Sequence, residues 1–370
     1  MAERPIRVGI IGVGWGSVVL VPAFRAVPEY EVAAICSRRP ERVAEAGAKL
    51  GIADTSTDWE AFVQRDDLDV IAVCTPTDLH AAQTIAALRA GKHVICEKPV
   101  ALSGAQARQM LDVAEETGLA HAVNFEGRWL PDRYAVWDLV QQGYLGDPYL
   151  ARVTTLGELW HPSRHLQSEW MYKVDQGGGY LMGLSSHDID YLCALFGPPV
   201  AVSADVRTTV PTRTREDGTT IDVTADDTST LLLRFESGLS ATITSSMIAL
   251  GVDSRRVELF GSDAALTLDG VLMGTPEQST LEGYRLEAGD KSTLPLSTRR
   301  ARSGVEIPSR RAGSAILALA LMLEDWLPAF AGKPTPNVPS LYDGWVTQSV
   351  VDAARASSDG AGWVELDLAR

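Results

Sequence analysis

The residues best suited to chemistry are Cys96-Glu97-Lys98-Pro99, which close the strand-like run Lys92-His93-Val94-Ile95. A lysine held next to a proline at the carboxyl end of a strand is a cation fixed beside a crevice. In an open α/β sheet that crevice is where ligands bind. Upstream, the apolar run Val8-Gly9-Ile10-Ile11 breaks into Gly12-Val13-Gly14-Trp15-Gly16-Ser17. Gly12 allows a tight turn, Gly14 lets the backbone approach a pyrophosphate, and the N–H groups opening the next helix bind the anion. Ser17 replaces the third glycine of that pattern and is small enough for close packing. Together the two segments point to a dinucleotide enzyme whose Lys98 touches substrate.

A second chemical signal follows the strand Tyr30–Cys36, where a dinucleotide site that takes NAD usually places an acidic residue for the ribose 2′-hydroxyl. This chain has Ser37-Arg38-Arg39 instead. A hydroxyl and a guanidinium suit a 2′-phosphate, so the reading leans to NADP over NAD. Between Asn124 and Lys173 lie Trp129, Trp137, Trp160 and Trp170, interleaved with Arg128, His161, Arg164 and His165. Flat aromatic faces beside hydrogen-bond donors suit the C–H faces and hydroxyls of sugars. Trp137 fits a helical pattern and reads as core; Trp160 with Arg164 and His165 are the substrate candidates, with Arg128 beside them, and Trp129 and Trp170 stay open.

The elements that must position these residues alternate at first. Strands are expected at Arg7–Gly12, Tyr30–Cys36, Val70–Cys74, His93–Cys96 and Ala120–Asn124, with helices at Val18–Val27, Arg42–Leu50, His80–Ala90 and Ala105–Thr117. Such alternation implies βαβ units, and short continuous apolar strands imply a parallel sheet covered on both faces. The rhythm then changes. A helix near Tyr134–Gln142 and a strand at Tyr149–Leu156 lead through Gly177-Gly178-Gly179 to a helix at Ser186–Phe196. Strands follow at Ala201–Val206, Thr228–Phe235, Leu239–Ser245, Arg256–Phe260 and Ala265–Leu268, alternating apolar with polar as in a sheet with one open face. Gly270 to Arg311 has weak periodicity and reads as a long loop carrying Arg299, Arg300, Arg302, Arg310 and Arg311. Helices at Ser314–Phe330 and Tyr342–Ser357 close the chain. The fold class is therefore α/β, with a doubly wound dinucleotide-binding domain at 1–125 and a substrate-binding and oligomerisation domain at 126–370.

Composition narrows the partners. The chain has 370 residues, 45% hydrophobic and 22% charged, as expected of a two-domain globular protein. A net charge of −15 opposes nucleic-acid binding, which needs a basic face. The apolar run Ala312–Leu323 falls short of the ~20 residues of a membrane span, and the start of the chain carries no leader pattern. The reading is a cytoplasmic protein. Cys36, Cys74, Cys96 and Cys193 have no metal-ligand spacing and read as reduced thiols. No metal is expected.

With Gly12-Val13-Gly14, Cys74-Thr75-Pro76-Thr77-Asp78-Leu79-His80 and Ala90-Gly91-Lys92-His93-Val94-Ile95-Cys96-Glu97-Lys98-Pro99 in order, the chain resembles the Gfo/Idh/MocA oxidoreductases, the glucose–fructose oxidoreductase and inositol dehydrogenase group. The likeness extends to Gly177-Gly178-Gly179 with His187 and Asp190, to Asp226-Asp227, and to Tyr342-Asp343-Gly344-Trp345. It implies a Rossmann domain, then an α/β domain with an open-faced sheet used for dimer or tetramer contacts. It further implies hydride transfer between a nicotinamide and a sugar, cyclitol or related diol. By this resemblance Lys98 is the catalytic lysine, Thr75, Pro76 and His80 line the nicotinamide-ribose side, and Glu97 sits beside the cofactor. His187 can take the hydroxyl proton near neutral pH while Lys98 stabilises the developing alkoxide. Tyr172, Tyr180 and Lys173 are substitutes if His187 is structural. One departure stands out: the family's Asp four residues before the histidine is Gly183 here.

Three functions are compatible with this pattern. The first is an NAD(P)-dependent sugar or polyol oxidoreductase. The second is a glycosidase that oxidises its sugar transiently on retained cofactor, eliminates the anomeric group, adds water and reduces again. The third is a non-catalytic NADP-sensing regulator, which retention of Lys98 and His187 opposes.

Overall fold

Six strands of the first part of the chain form one parallel sheet: β1 (Ile6–Ile11), β2 (Tyr30–Cys36), β3 (Thr55–Ser56), β4 (Val70–Val73), β5 (His93–Cys96) and β6 (His121–Val123). They are ordered β3-β2-β1-β4-β5-β6. Val70, Ile71, Ala72 and Val73 are all inaccessible, as a strand covered on both faces requires. The order reverses between β1 and β4, so the loops leaving their carboxyl ends flank the switch point where doubly wound sheets bind ligands. The computed structural model describes residues 4–166, 168–272, 275–300 and 311–368. The chain divides into two units, Met1–Leu130 with Arg299–Trp345, and Pro131–Thr298 with Val346–Arg370.

The first unit includes the helix Arg311–Trp326, which buries Ala318, Leu319, Ala320, Leu321, Met322 and Leu323. The helix runs on through Glu324-Asp325. Asp325 instead accepts Trp129 Nε1 at 2.8 Å and both terminal nitrogens of Arg299 at 2.8 and 2.7 Å. The apolar stretch Ala312–Ala331 is 20 residues long with a mean hydropathy of 1.5, enough by length and composition to cross a membrane. Within it Ala318–Leu323 and Trp326 are buried. Arg302 and Arg310 lie outside the described residues.

The second unit carries a nine-stranded sheet built from β7 (Pro148–Leu156), β8 (Pro199–Arg207), β11 (Thr228–Phe235), β12 (Ser240–Ser246), β13 (Ser254–Gly261), β14 (Ala264–Gly270), β15 (Thr280–Arg285), β16 (Lys291–Leu294) and β17 (Val364–Glu365). A hairpin of β9 (Thr212–Thr214) and β10 (Thr220–Asp222) stands apart from it. The order is β16-β15-β14-β13-β7-β12-β11-β8-β17, antiparallel except for β7 with β12. Ser229, Leu231, Leu233 and Phe235 of β11 are buried while Thr230, Leu232 and Arg234 are exposed, the alternation of a half-covered sheet. The expectation of one long loop from Gly270 to Arg311 is corrected by β15 and β16. Their sequences are weakly patterned, and their strand state comes from pairing on the free edge of β14.

Candidate active site

The glycine loop after β1 is shaped to receive a dinucleotide. Gly12 has φ +111°, and a Cβ there would collide with the Cys74 carbonyl, so only glycine fits the turn. Gly14 is exposed, and a Cβ there would meet nothing within 4 Å. The helical segment that follows opens with a π-helical turn at Gly16–Leu20, and Trp15 before it supplies no side-chain cap. Uncapped N–H groups and an open approach suit a pyrophosphate. Ser17 Oγ is buried with no hydrogen-bond partner among the described residues, a further polar atom at this loop. Trp15 is exposed beside it. At the end of β2, Ser37 is half-buried while Arg38 and Arg39 are exposed.

Lys98 stands one residue beyond Glu97 at the carboxyl end of β5, with a cis peptide to Pro99. Glu97 is buried. Its Oε1 accepts Asn124 Nδ2 at 2.5 Å and its Oε2 accepts the Lys98 N–H at 3.3 Å. Burial pushes the Glu97 carboxyl up to about 7, with Glu126 adding to the shift and Lys98 and Asn124 opposing it. Asn124 was missed by the sequence reading, although its place after β6, a neighbouring strand end, marks it as a ligand-side position. Thr75 Oγ1 donates to Gln83 Oε1 at 2.7 Å, and Pro76 is exposed.

His80, which the resemblance puts on the nicotinamide-ribose side, is held between two backbone carbonyls. Its ring is fully buried, with Nδ1 2.9 Å from Pro99 O and Nε2 2.8 Å from Thr75 O. It therefore ties the loop after β4 to the loop that carries Lys98. Burial lowers its pKa, against the pull of those carbonyls.

Arg128, expected beside substrate, is held by a carboxylate. This side chain is 3% exposed, donates to Asp343 Oδ1 at 2.8 Å and to Asn337 O at 3.2 Å, and belongs to the first unit. Burial would raise the Asp343 carboxyl, but the Arg128 charge and hydrogen bond hold it below its usual range.

His187 lies in the second unit on the helix Ser186–Phe196, which is entered through a π-helical turn at Leu181–Ser185. His187 is half-buried, whereas Ser185, Ser186, Asp188 and Asp190 are buried. A Cβ at Gly183 would meet nothing within 4 Å, so the missing family carboxylate leaves open space one turn before His187.

Trp160 and Tyr172, expected at the substrate, pack against each other. Both are at most 2% exposed, with ring centroids 4.3 Å apart, and Tyr180 lies 4.5 Å from Trp160. Ile221, Val223 and Met247 complete this cluster. Arg213, which the sequence reading overlooked, donates to the carbonyls of Trp160 and Arg164 and lies 5.5 Å from the Tyr172 ring. Arg164 and His165 stay exposed, and Arg164 pairs with Glu158. Among the described residues, no group of three His, Cys, Asp or Glu side chains could hold a metal.

Comparison with known proteins matches both parts of the chain. The family model for an oxidoreductase family with an NAD-binding Rossmann fold matches residues 6–125, and that for a GFO/IDH/MocA C-terminal domain matches residues 134–267. The chain is 27% identical to a myo-inositol 2-dehydrogenase of Thermotoga maritima over 281 residues, 76% of this chain and 80% of that protein. It is 31% identical to a levoglucosan dehydrogenase of Pseudarthrobacter phenanthrenivorans over 222 residues, 58% of this chain and 57% of that one. Among solved structures, an oxidoreductase domain protein from Kribbella flavida superposes with a TM-score of 0.86 at 26% identity, covering 99% of this chain and 100% of that one.

Proposed function

Because the chain belongs to the Gfo/Idh/MocA oxidoreductase family, we propose that it is an NAD(P)-dependent dehydrogenase acting on a hydroxyl of a sugar, cyclitol or sugar derivative. The observation that carries this reading is the pairing of an open glycine loop after β1 with Lys98 at the end of β5 in one parallel sheet. Gly12, Gly14, Gly16 and Ser17 would hold the pyrophosphate, and Thr75 and Pro76 the nicotinamide-ribose side. A bound nicotinamide supplies the hydride acceptor or donor. Lys98 donates a hydrogen bond to the substrate oxygen and stabilises alkoxide charge, and His187 removes or returns the hydroxyl proton. Glu97 sets the charge next to Lys98. Arg164 and His165 remain as substrate contacts.

Ser37 and the exposed Arg38 and Arg39 support NADP over NAD, since a guanidinium can bind a 2′-phosphate bidentately. The exposed row Thr230, Leu232 and Arg234 on the open sheet supports self-association into a dimer or tetramer. Glycoside cleavage through transient oxidation is the second reading, favoured by the open position at Gly183.

The test is nicotinamide absorbance on purified protein with NAD⁺ and NADP⁺ against myo-inositol, levoglucosan, free sugars and aryl glycosides, with glycoside cleavage followed in parallel. Net reduction with a free polyol is expected, faster with NADP⁺. Cleavage without net reduced cofactor would replace this reading with the second one.

A further inference from the structure

Four adjacent strands of the second unit set Ser229, Ser245, Thr155 and Arg255 in one register row, paired Ser229 with Ser245, Ser245 with Thr155, and Thr155 with Arg255. Residues so paired put their side chains on one face of a sheet. All four are buried, which is unusual for a polar row in the middle of a core. Their partners come from the segment that carries His187. Ser185 Oγ donates to Ser245 Oγ at 2.9 Å and lies 3.4 Å from Ser229 Oγ. Thr155 Oγ1 donates to Asp188 Oδ2 at 3.3 Å, and Asp188 Oδ1 is ion-paired with Arg255.

Ser185 and Asp188 are three residues apart and share a side of the helix. His187 is turned about 100° away from Asp188 by the helical repeat and remains half-buried. An apolar stripe could seat this helix on the sheet in several neighbouring rotations. Discrete hydrogen bonds and a buried ion pair permit one, because any other rotation leaves buried polar atoms unsatisfied. Burial works against the Arg255 charge, with Arg133 adding to the effect and Asp132 opposing it, and the Asp188 carboxylate is its ion-pair partner.

We propose that Asp188 and Arg255, together with Ser185, Ser245 and Thr155, are positioning residues that lock the rotation and register of the helix so that His187 is aimed for proton transfer. The inference rests on the reading of His187 as the base.

The test uses the full chain with Asp188→Asn, Arg255→Lys, Ser245→Ala, His187→Asn and the double variant His187→Asn/Asp188→Asn. Each is followed by single-turnover reduction of NAD⁺ and NADP⁺ with myo-inositol, levoglucosan and methyl glucoside. A displaced catalytic group lowers the rate by about a hundredfold. Asp188→Asn is therefore expected to lose about that factor with cofactor affinity unchanged, and Arg255→Lys to retain more activity. In the His187→Asn background, Asp188→Asn is expected to have no further effect, because groups that act through one another are not additive. Equal losses from Asp188→Asn with and without His187 would reduce the network to a structural role and overturn the inference. So would unchanged rates in Asp188→Asn and Ser245→Ala. If Asp188→Asn does not fold, Ser245→Ala and Arg255→Lys enter the same cycle. Unchanged activity in His187→Asn would instead overturn the assignment of the base. No turnover of any of these sugars by the unsubstituted protein would overturn the dehydrogenase reading and this inference with it.

Discussion

Asn124 Nδ2 donates a 2.5 Å hydrogen bond to Glu97 Oε1, joining the carboxyl ends of β6 and β5 next to Lys98. The carboxyl it holds is buried and pushed up to about 7, chiefly by burial. The folded protein thus binds this proton more tightly than the unfolded chain, whose carboxyl titrates at the ordinary 4.5. Its contribution to stability is full below about 4.5 and is lost as pH rises through about 7. Glu97→Gln removes that dependence. At pH 8 the variant should be more stable by on the order of 3 kcal/mol, read from urea midpoints across the pH range. An unaltered pH slope would place the proton elsewhere.

Lys98→Ala should lower turnover by about 10²–10³-fold, the range for losing a donor to a developing oxyanion. Cofactor binding, followed by fluorescence, should be retained, because the glycine loop is formed by β1 and its own turn. Near-normal turnover would remove the basis of the functional reading.

His80 links Thr75 O and Pro99 O through its two ring nitrogens. Neutral His80 has one N–H, so His80→Ala removes the donor from one of these two carbonyls and should destabilise the protein by about 1–3 kcal/mol. Burial depresses the native pKa, so the unfolded state binds more protons once pH drops below the ordinary 6.5. Stability that His80 confers at pH 8 should therefore decline below about 6.5. Urea unfolding of both proteins at pH 8 and pH 5 measures the difference.

Arg128→Met leaves the half-buried Asp343 without its cation. Losing the charged hydrogen bond costs about 1–3 kcal/mol, with Ser340 still donating to the carboxylate, so the melting temperature should fall. Sugar KM in the protein that remains folded should not change. A raised KM with an unchanged melting temperature would return Arg128 to the substrate.

Most of the parallel sheet was legible because Val70–Val73 and His93–Cys96 are short, continuous apolar runs bounded by glycine and proline signals. The positions of Thr75, Glu97 and Lys98 just past the ends of these strands were legible for the same reason. Arg128 and Asp343 were not recognised as a pair, being 215 residues apart. Nor were Asp188 and Arg255, which only the register of β7 and β13 brings together. The burial of Trp160 was not legible, because an aromatic flanked by hydrogen-bond donors has the same local pattern in a core as in a sugar site. β16, with exposed Lys291, Ser292 and Thr293, owes its conformation to β15 alongside it.

Gly183 precedes His187 by one turn and lies within the π-helical segment Leu181–Ser185. A glycine inside a helix destabilises it by about 0.5–1 kcal/mol relative to alanine, and here a Cβ would meet no atom within 4 Å. Gly183→Ala should therefore gain about that much stability in urea unfolding. The gain should come with little change in the rate on a compact cyclitol such as myo-inositol. If the open volume receives the larger group of a glycoside, the same methyl should raise KM for aryl glycosides while leaving myo-inositol unaffected. Equal KM values for both classes would mean that the space beside Gly183 is not used by substrate, and the second reading of the function would lose its structural support.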